Sequence, residues 1–113
     1  MEPITYYRLT YDEQTTLRDV YLPLHHLCAD EERADEIARL IRGNASDYTT
    51  TQAGNLKMAV AELCDIVLEQ ATTDYWERLG MPEAEGLAQM RLTEAKRLYA
   101  LLTSLVGDKA KAV

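Results

Sequence analysis

The chain's 113 residues leave room for one hydrophobic core and little else, and 47% apolar content is enough to fill that core without staples. A net charge of −7 repels nucleic-acid backbone, which disfavours general DNA or RNA binding. No apolar run approaches the roughly 20 residues that span a bilayer, and scarce Gly and Pro with frequent Leu, Ala and Glu favour helix over sheet.

Residues 1–10 read as an arm whose Ile4, Tyr6, Tyr7 and Leu9 dock on a bundle or on another subunit. Thr10 and Glu13 have capping-box spacing, so a helix is predicted to begin at Tyr11. Leu17, Val20, Tyr21, Leu24, Leu27 and Cys28 recur at helical spacing. Pro23 interrupts them without changing their phase, which predicts a kink or brief break. Asp30 caps a second helix with the face Ala34, Ile37, Ala38 and Ile41, closed by Gly43-Asn44. A polar loop is expected over 44–51.

The third helix is predicted from 52 to about 73, with Leu56, Ala59, Val60, Leu63, Ile66 and Val67 as its stripe and Cys64 and Leu68 widening it. Tyr75 to Leu79 reads as a final turn closed by Gly80. Pro82 suits the first position of a fourth helix, lined by Leu87, Ala95, Leu98, Leu102 and Leu105 as far as Gly107, with 108–113 as a frayed tail. Short connections favour antiparallel neighbours. The expected fold is therefore all-α, one domain over 1–113, a four- to five-helix antiparallel bundle. Apolar stripes covering more than a third of a helix imply burial on two sides, hence a homo-oligomer. Met1-Glu2-Pro3 lacks the basic and apolar stretches of a signal peptide, so cytoplasmic residence is expected, with Cys28 and Cys64 as buried thiols.

Two acidic clusters carry the candidate chemistry: Glu31-Glu32-Arg33-Ala34-Asp35-Glu36 on the second helix and Glu62-Leu63-Cys64-Asp65 on the third. Carboxylates three residues apart point the same way from a helix, so Glu32 with Asp35 and Glu62 with Asp65 form two pairs. Across antiparallel helices the pairs could face each other. Like charges about 4 Å apart repel by roughly 4 kcal/mol at an effective dielectric near 20, a cost that a bound cation offsets. Hard oxygen ligands suit Mg²⁺ or Mn²⁺, which take further oxygens from substrate phosphates and activate water. The plainer alternative is that the first cluster serves the helix dipole. Glu62, Asp65 and Glu69 would then form an ordinary solvated face opposite the apolar stripe.

At these residues the chain resembles the all-α nucleotide pyrophosphohydrolases, the MazG-like group. These carry E-E-x-x-E on one helix and E-x-x-D on the next. Glu31-Glu32-Arg33-Ala34-Asp35 is followed at similar spacing by Glu62-Leu63-Cys64-Asp65, and Arg78-Leu79-Gly80-Met81 before a fourth helix is also similar. The resemblance implies that Glu32, Asp35, Glu62 and Asp65 hold Mg²⁺, with Glu31 part of the same catalytic cluster. It implies that a nucleotide is cleaved between its α- and β-phosphates, releasing pyrophosphate. The departure is Asp35 where the family has Glu. If Glu36 is the matching ligand instead, Arg33 takes a place that is usually acidic.

Arg91, with Lys96 or Arg97 assisting, could reach a substrate phosphate. Arg91 could equally pair with Glu94, its stem covering apolar surface. Trp76 and Tyr75 suit either base stacking or closure of the core. The competing function is a non-catalytic acidic helical adaptor or inhibitor that binds a protein partner.

Overall fold

A computed structural model describes residues 5–107 and 111–112. The predicted bundle is present, with a small sheet beside it. The order is β1 (Thr5–Arg8), α1 (Tyr11–Thr16), a π-helical turn (Leu17–Tyr21), the single turn α2 (Leu22–Leu24) and a 3-10 turn (His25–Leu27). Then come α3 (Glu31–Arg42), β2 (Asp47–Thr49), α4 (Thr50–Glu69), α5 (Thr73–Arg78), α6 (Ala84–Gly107) and β3 (Lys111–Ala112). None of the helices among the described residues is long and apolar enough to cross a membrane.

The helix ends follow from local chemistry. Thr10 Oγ1 accepts the Glu13 amide at 3.2 Å and Glu13 Oε1 accepts the Thr10 amide at 2.7 Å, so two orphan donors at the start of α1 are satisfied reciprocally. Thr49 and Gln52 repeat the device at α4, and the Asp30 carboxylate caps α3 through the Arg33 amide. α3 ends with Asn44 in the left-handed region at φ 58. The Ala45 and Asn44 amides donate back to the Leu40 and Ile41 carbonyls, a Schellman closure. Gly80 plays the same part after α5 at φ 74, with Met81 bonded to Trp76 and Gly80 to Glu77.

The break at Pro23 lies upstream of the proline. Pro23 lacks an amide hydrogen and its ring crowds the carbonyl four residues back, and the chain widens into the π turn, where the Leu22 amide reaches Leu17. The predicted third helix stops at Glu69, and α5 is a separate helix capped by Thr72. α6 starts at Ala84, so Pro82 stands just before the helix rather than at its first position.

The described part of the arm contains a strand, β1. β1 pairs antiparallel with β2 (Tyr7 with Tyr48) and with β3 (Tyr6 with Lys111), in the order β2-β1-β3. It docks on the bundle of its own chain, burying Tyr7 and Leu9. The expected polar loop contains β2, and Tyr48 is its buried residue. Ile4, Tyr6 as a side chain, and most of the predicted frayed tail lie outside the described residues, but Lys111–Ala112 pairs with β1.

α4 is the spine. Its buried line Ala53, Leu56, Val60, Leu63 and Val67 packs among Ile37 and Ile41 of α3, Leu17, Val20 and Tyr21 before Pro23, and Leu98, Leu101 and Leu105 of α6. Each fully buried aliphatic side chain contributes about 1.5–3 kcal/mol.

Candidate functional site

α3 and α4 meet where the acidic clusters meet, and a cation of the chain itself stands between them. Arg33 leaves α3 toward α4, and its Nη2 donates to Glu62 Oε1 at 3.1 Å. The other oxygen of Glu62 accepts the Ala29 amide at 2.9 Å, at the turn before α3. Both carboxylate oxygens are therefore engaged. Arg33 Nη1 also lies 3.8 Å from Asp30, and the Arg33 and Glu62 side chains are only 17% and 23% exposed. A pair this shielded is held firmly, because removing either member strands a charge away from water.

The other expected ligands go elsewhere. Asp35 is exposed and faces His25, with Nε2 3.6 Å from Oδ1. The His25 Nδ1 lies 2.6 Å from the Leu22 carbonyl, which can accept a hydrogen from it. Glu31, Glu32 and Asp65 are exposed and Glu36 is half-buried. Among the described residues no group of three or more His, Cys, Asp or Glu side chains could hold a metal ion. The expected convergence of Glu32, Asp35, Glu36, Glu62 and Asp65 is thus not what the helices produce. The donor set as it stands does not fit Mg²⁺ or Mn²⁺, because the place beside Glu62 is taken by a guanidinium.

No family model, curated protein or solved structure matches the chain.

Burial, with the Glu62 charge adding to it, pushes the Cys28 thiol up to about 11, and burial also raises Cys64. Both are free, buried and protonated near neutral pH, which makes them poor nucleophiles. Outside the pair, a cleft of about 280 Å³ is lined by Asp30, Glu32, Arg33, Glu36, Asn55 and Met58.

Arg91 follows the plainer of its two expectations. Its Nη1 donates to Glu94 at 2.6 Å and its Nε to Gln70 at 2.8 Å. The guanidinium lies 5.7 Å from the Trp76 ring centre, a cation–π distance, and Trp76 Nε1 donates to the Gln70 carbonyl at 2.6 Å. These contacts tie α5 to the ends of α4 and α6. Lys96 is exposed on α6, and Arg97 reaches Asp19 at 3.4 Å.

Sequence reasoning missed two residues. In the sequence Arg33 stands out only as the one cation in the acidic run 31–36. The available signal was its place four residues before Ile37 and eight before Ile41, on the edge of α3's buried face. The Thr10–Glu13 spacing marks Glu13 only as a cap, yet it is almost fully buried. Besides the Thr10 amide it accepts Tyr7 Oη at 2.6 Å and Ser104 Oγ at 3.0 Å. One carboxylate thereby joins the strand, α1 and α6, and no local pattern announces partners so far along the chain.

Proposed function

We propose that the chain is a non-catalytic acidic helical module, an adaptor or inhibitor, that binds a basic protein partner along the outer face of α3. The observation that carries this reading is the inward turn of Arg33 to Glu62. It neutralises the inner carboxylate with a cation of the chain itself and leaves the outer acids of α3 without one. Glu31, Glu32 and Glu36 form no ion pair among the described residues, whereas Asp30, Asp35 and Glu62 each have a basic neighbour. Glu32 and Glu36 border the cleft beside Met58, which is exposed. An acidic rim around an apolar side chain accepts a lysine or arginine whose stem packs on the methionine.

The chain used as bait should capture one stoichiometric protein. Reversal of the ridge (Glu31→Lys, Glu32→Lys and Glu36→Lys together) should release it, while Asp65→Ala leaves capture intact. Capture indifferent to the ridge would sink this reading. The Mg²⁺-dependent pyrophosphohydrolase reading rests on the motif resemblance alone, and it requires Arg33 to give up Glu62. Pyrophosphate release from common nucleoside triphosphates with Mg²⁺ or Mn²⁺, lost in Glu62→Ala, would reinstate it.

A further inference from the structure

Glu13 is the one charged residue that is buried among the described residues, and no cation of the chain faces it. Its three hydrogen bonds come from neutral donors. Oε1 accepts the Thr10 amide at 2.7 Å, and Oε2 accepts Tyr7 Oη at 2.6 Å and Ser104 Oγ at 3.0 Å. Glu13 forms no ion pair among the described residues. A carboxylate this deeply buried is ordinarily paired with a cation, as Glu62 is with Arg33. Neutral donors reduce the cost of removing the charge from water, but they do not cancel it.

This uncompensated charge is not sealed in. It borders a cleft of about 280 Å³ between α1 and α6, walled by Asp12, Glu13 and Thr16 on one side and by Arg97, Ala100 and Ser104 on the other. Arg97 and Ser104 are seven residues apart on one face of α6, so they stand about 10 Å apart along the cleft. Between them the wall is apolar, with the single methyl of Ala100 and the buried Leu101. Arg97 is the one cation of this lining, and it is turned to Asp19 at 3.4 Å.

The Glu13–Ser104 end accepts hydrogen bonds and donates none. A carboxylate offers about four lone-pair sites; Glu13 uses two on Oε2 and one on Oε1, which leaves one on Oε1. Ser104 has a single hydroxyl hydrogen and gives it to Glu13, so its oxygen keeps only acceptor capacity. Asp12, on the same lining, is exposed and forms no ion pair among the described residues. A divalent metal would require more oxygen ligands than one carboxylate and a hydroxyl, and no group of three or more suitable side chains stands here among the described residues. An ammonium group, with three donors and no acceptor, matches what this end offers.

We propose that the α1/α6 cleft binds a small aliphatic amine in its ammonium form. The charged nitrogen sits against Glu13 and Ser104, and the methylene stem lies along Ala100 and Leu101. The ligand thereby supplies the countercharge that the chain itself does not. The site uses no residue of α3, so it is independent of partner binding there.

A backbone-amide NMR titration of the intact chain at neutral pH and physiological salt tests the proposal, with n-butylamine as the probe and n-butanol as its uncharged counterpart. Butylamine should shift the amides of residues 10–16 and 97–104 saturably, and butanol should bind about tenfold or more weakly. Ser104→Ala removes an acceptor for a charged donor and should weaken butylamine by about tenfold. Ala100→Leu, at an exposed helix position, fills the cleft without altering its charge. It should abolish the shifts while the far-UV circular dichroism stays unchanged. Absence of saturable shifts overturns the proposal. So does butanol binding as tightly as butylamine, or shifts that are scattered over the exposed carboxylates and persist in Ala100→Leu.

Discussion

Tyr7, Tyr21 and Tyr48 fill core positions in a chain that has no Phe, and each brings a hydroxyl inside. Tyr7 spends its hydroxyl on Glu13 and Tyr21 donates to the Ala34 carbonyl at 3.0 Å. The Tyr48 hydroxyl has no partner among the described residues, and burial pushes that phenol up to about 12. An unmade buried hydrogen bond is worse than none, so Tyr48→Phe should raise stability by up to about 1 kcal/mol, whereas Tyr21→Phe should lower it by about 1 kcal/mol. Urea midpoints at equal slope check both. Arg33→Met should cost more, about 2–3 kcal/mol, because Glu62 keeps its Ala29 bond but loses its countercharge. Cys28 supplies a pH dependence of definite sign. Its folded value near 11 lies above the ordinary 9.0, so between those values the unfolded chain releases its proton first. Stability should fall as pH rises through that window. Comparing urea midpoints at mildly and strongly alkaline pH, with Cys28→Ala losing the extra slope, measures it.

Gly80 is the element-scale test. Its φ of 74 closes α5, and a Cβ there meets no neighbour, so Gly80→Ala isolates backbone strain and should destabilise by about 1–2 kcal/mol. A thermal midpoint unchanged by that substitution would mean that the Schellman closure contributes little. Signals confined to one turn were legible: the Thr10–Glu13 box, Asp30, Gly43-Asn44 and Gly80 all stop or start helices as read. The stripes of α3 and α4 were legible too, since each repeats over several turns. Illegible were features that only tertiary partners create. β2 has one apolar residue, Tyr48, amid polar neighbours, and becomes a strand only because β1 lies alongside. The π turn answers Pro23 from upstream, a displacement that spacing does not encode. At the site, α3 and α4, which carry the two acidic clusters, do touch. The sequence could not tell that Arg33 would point inward, because a side chain's direction at the edge of a buried stripe depends on what lies opposite.

At the scale of the molecule, the unpaired acids Glu31, Glu32 and Glu36 stand on α3 outside the Arg33–Glu62 pair. Mg²⁺ at millimolar concentration should leave the thermal midpoint unchanged, because a ligand raises it only by binding the native state and Arg33 already holds the place beside Glu62. A rise abolished by Asp65→Ala would contradict that.

The Glu13–Ser104 bond, which spans 91 residues, bears on how the chain is made. A ribosome delivers Tyr7, Thr10 and Glu13 long before Ser104. Until the last helix emerges, the carboxylate must stay hydrated and the first strand cannot settle beneath it. The early-synthesised segment should therefore remain open to proteases on stalled nascent chains, and acquire protection only when translation has passed α6.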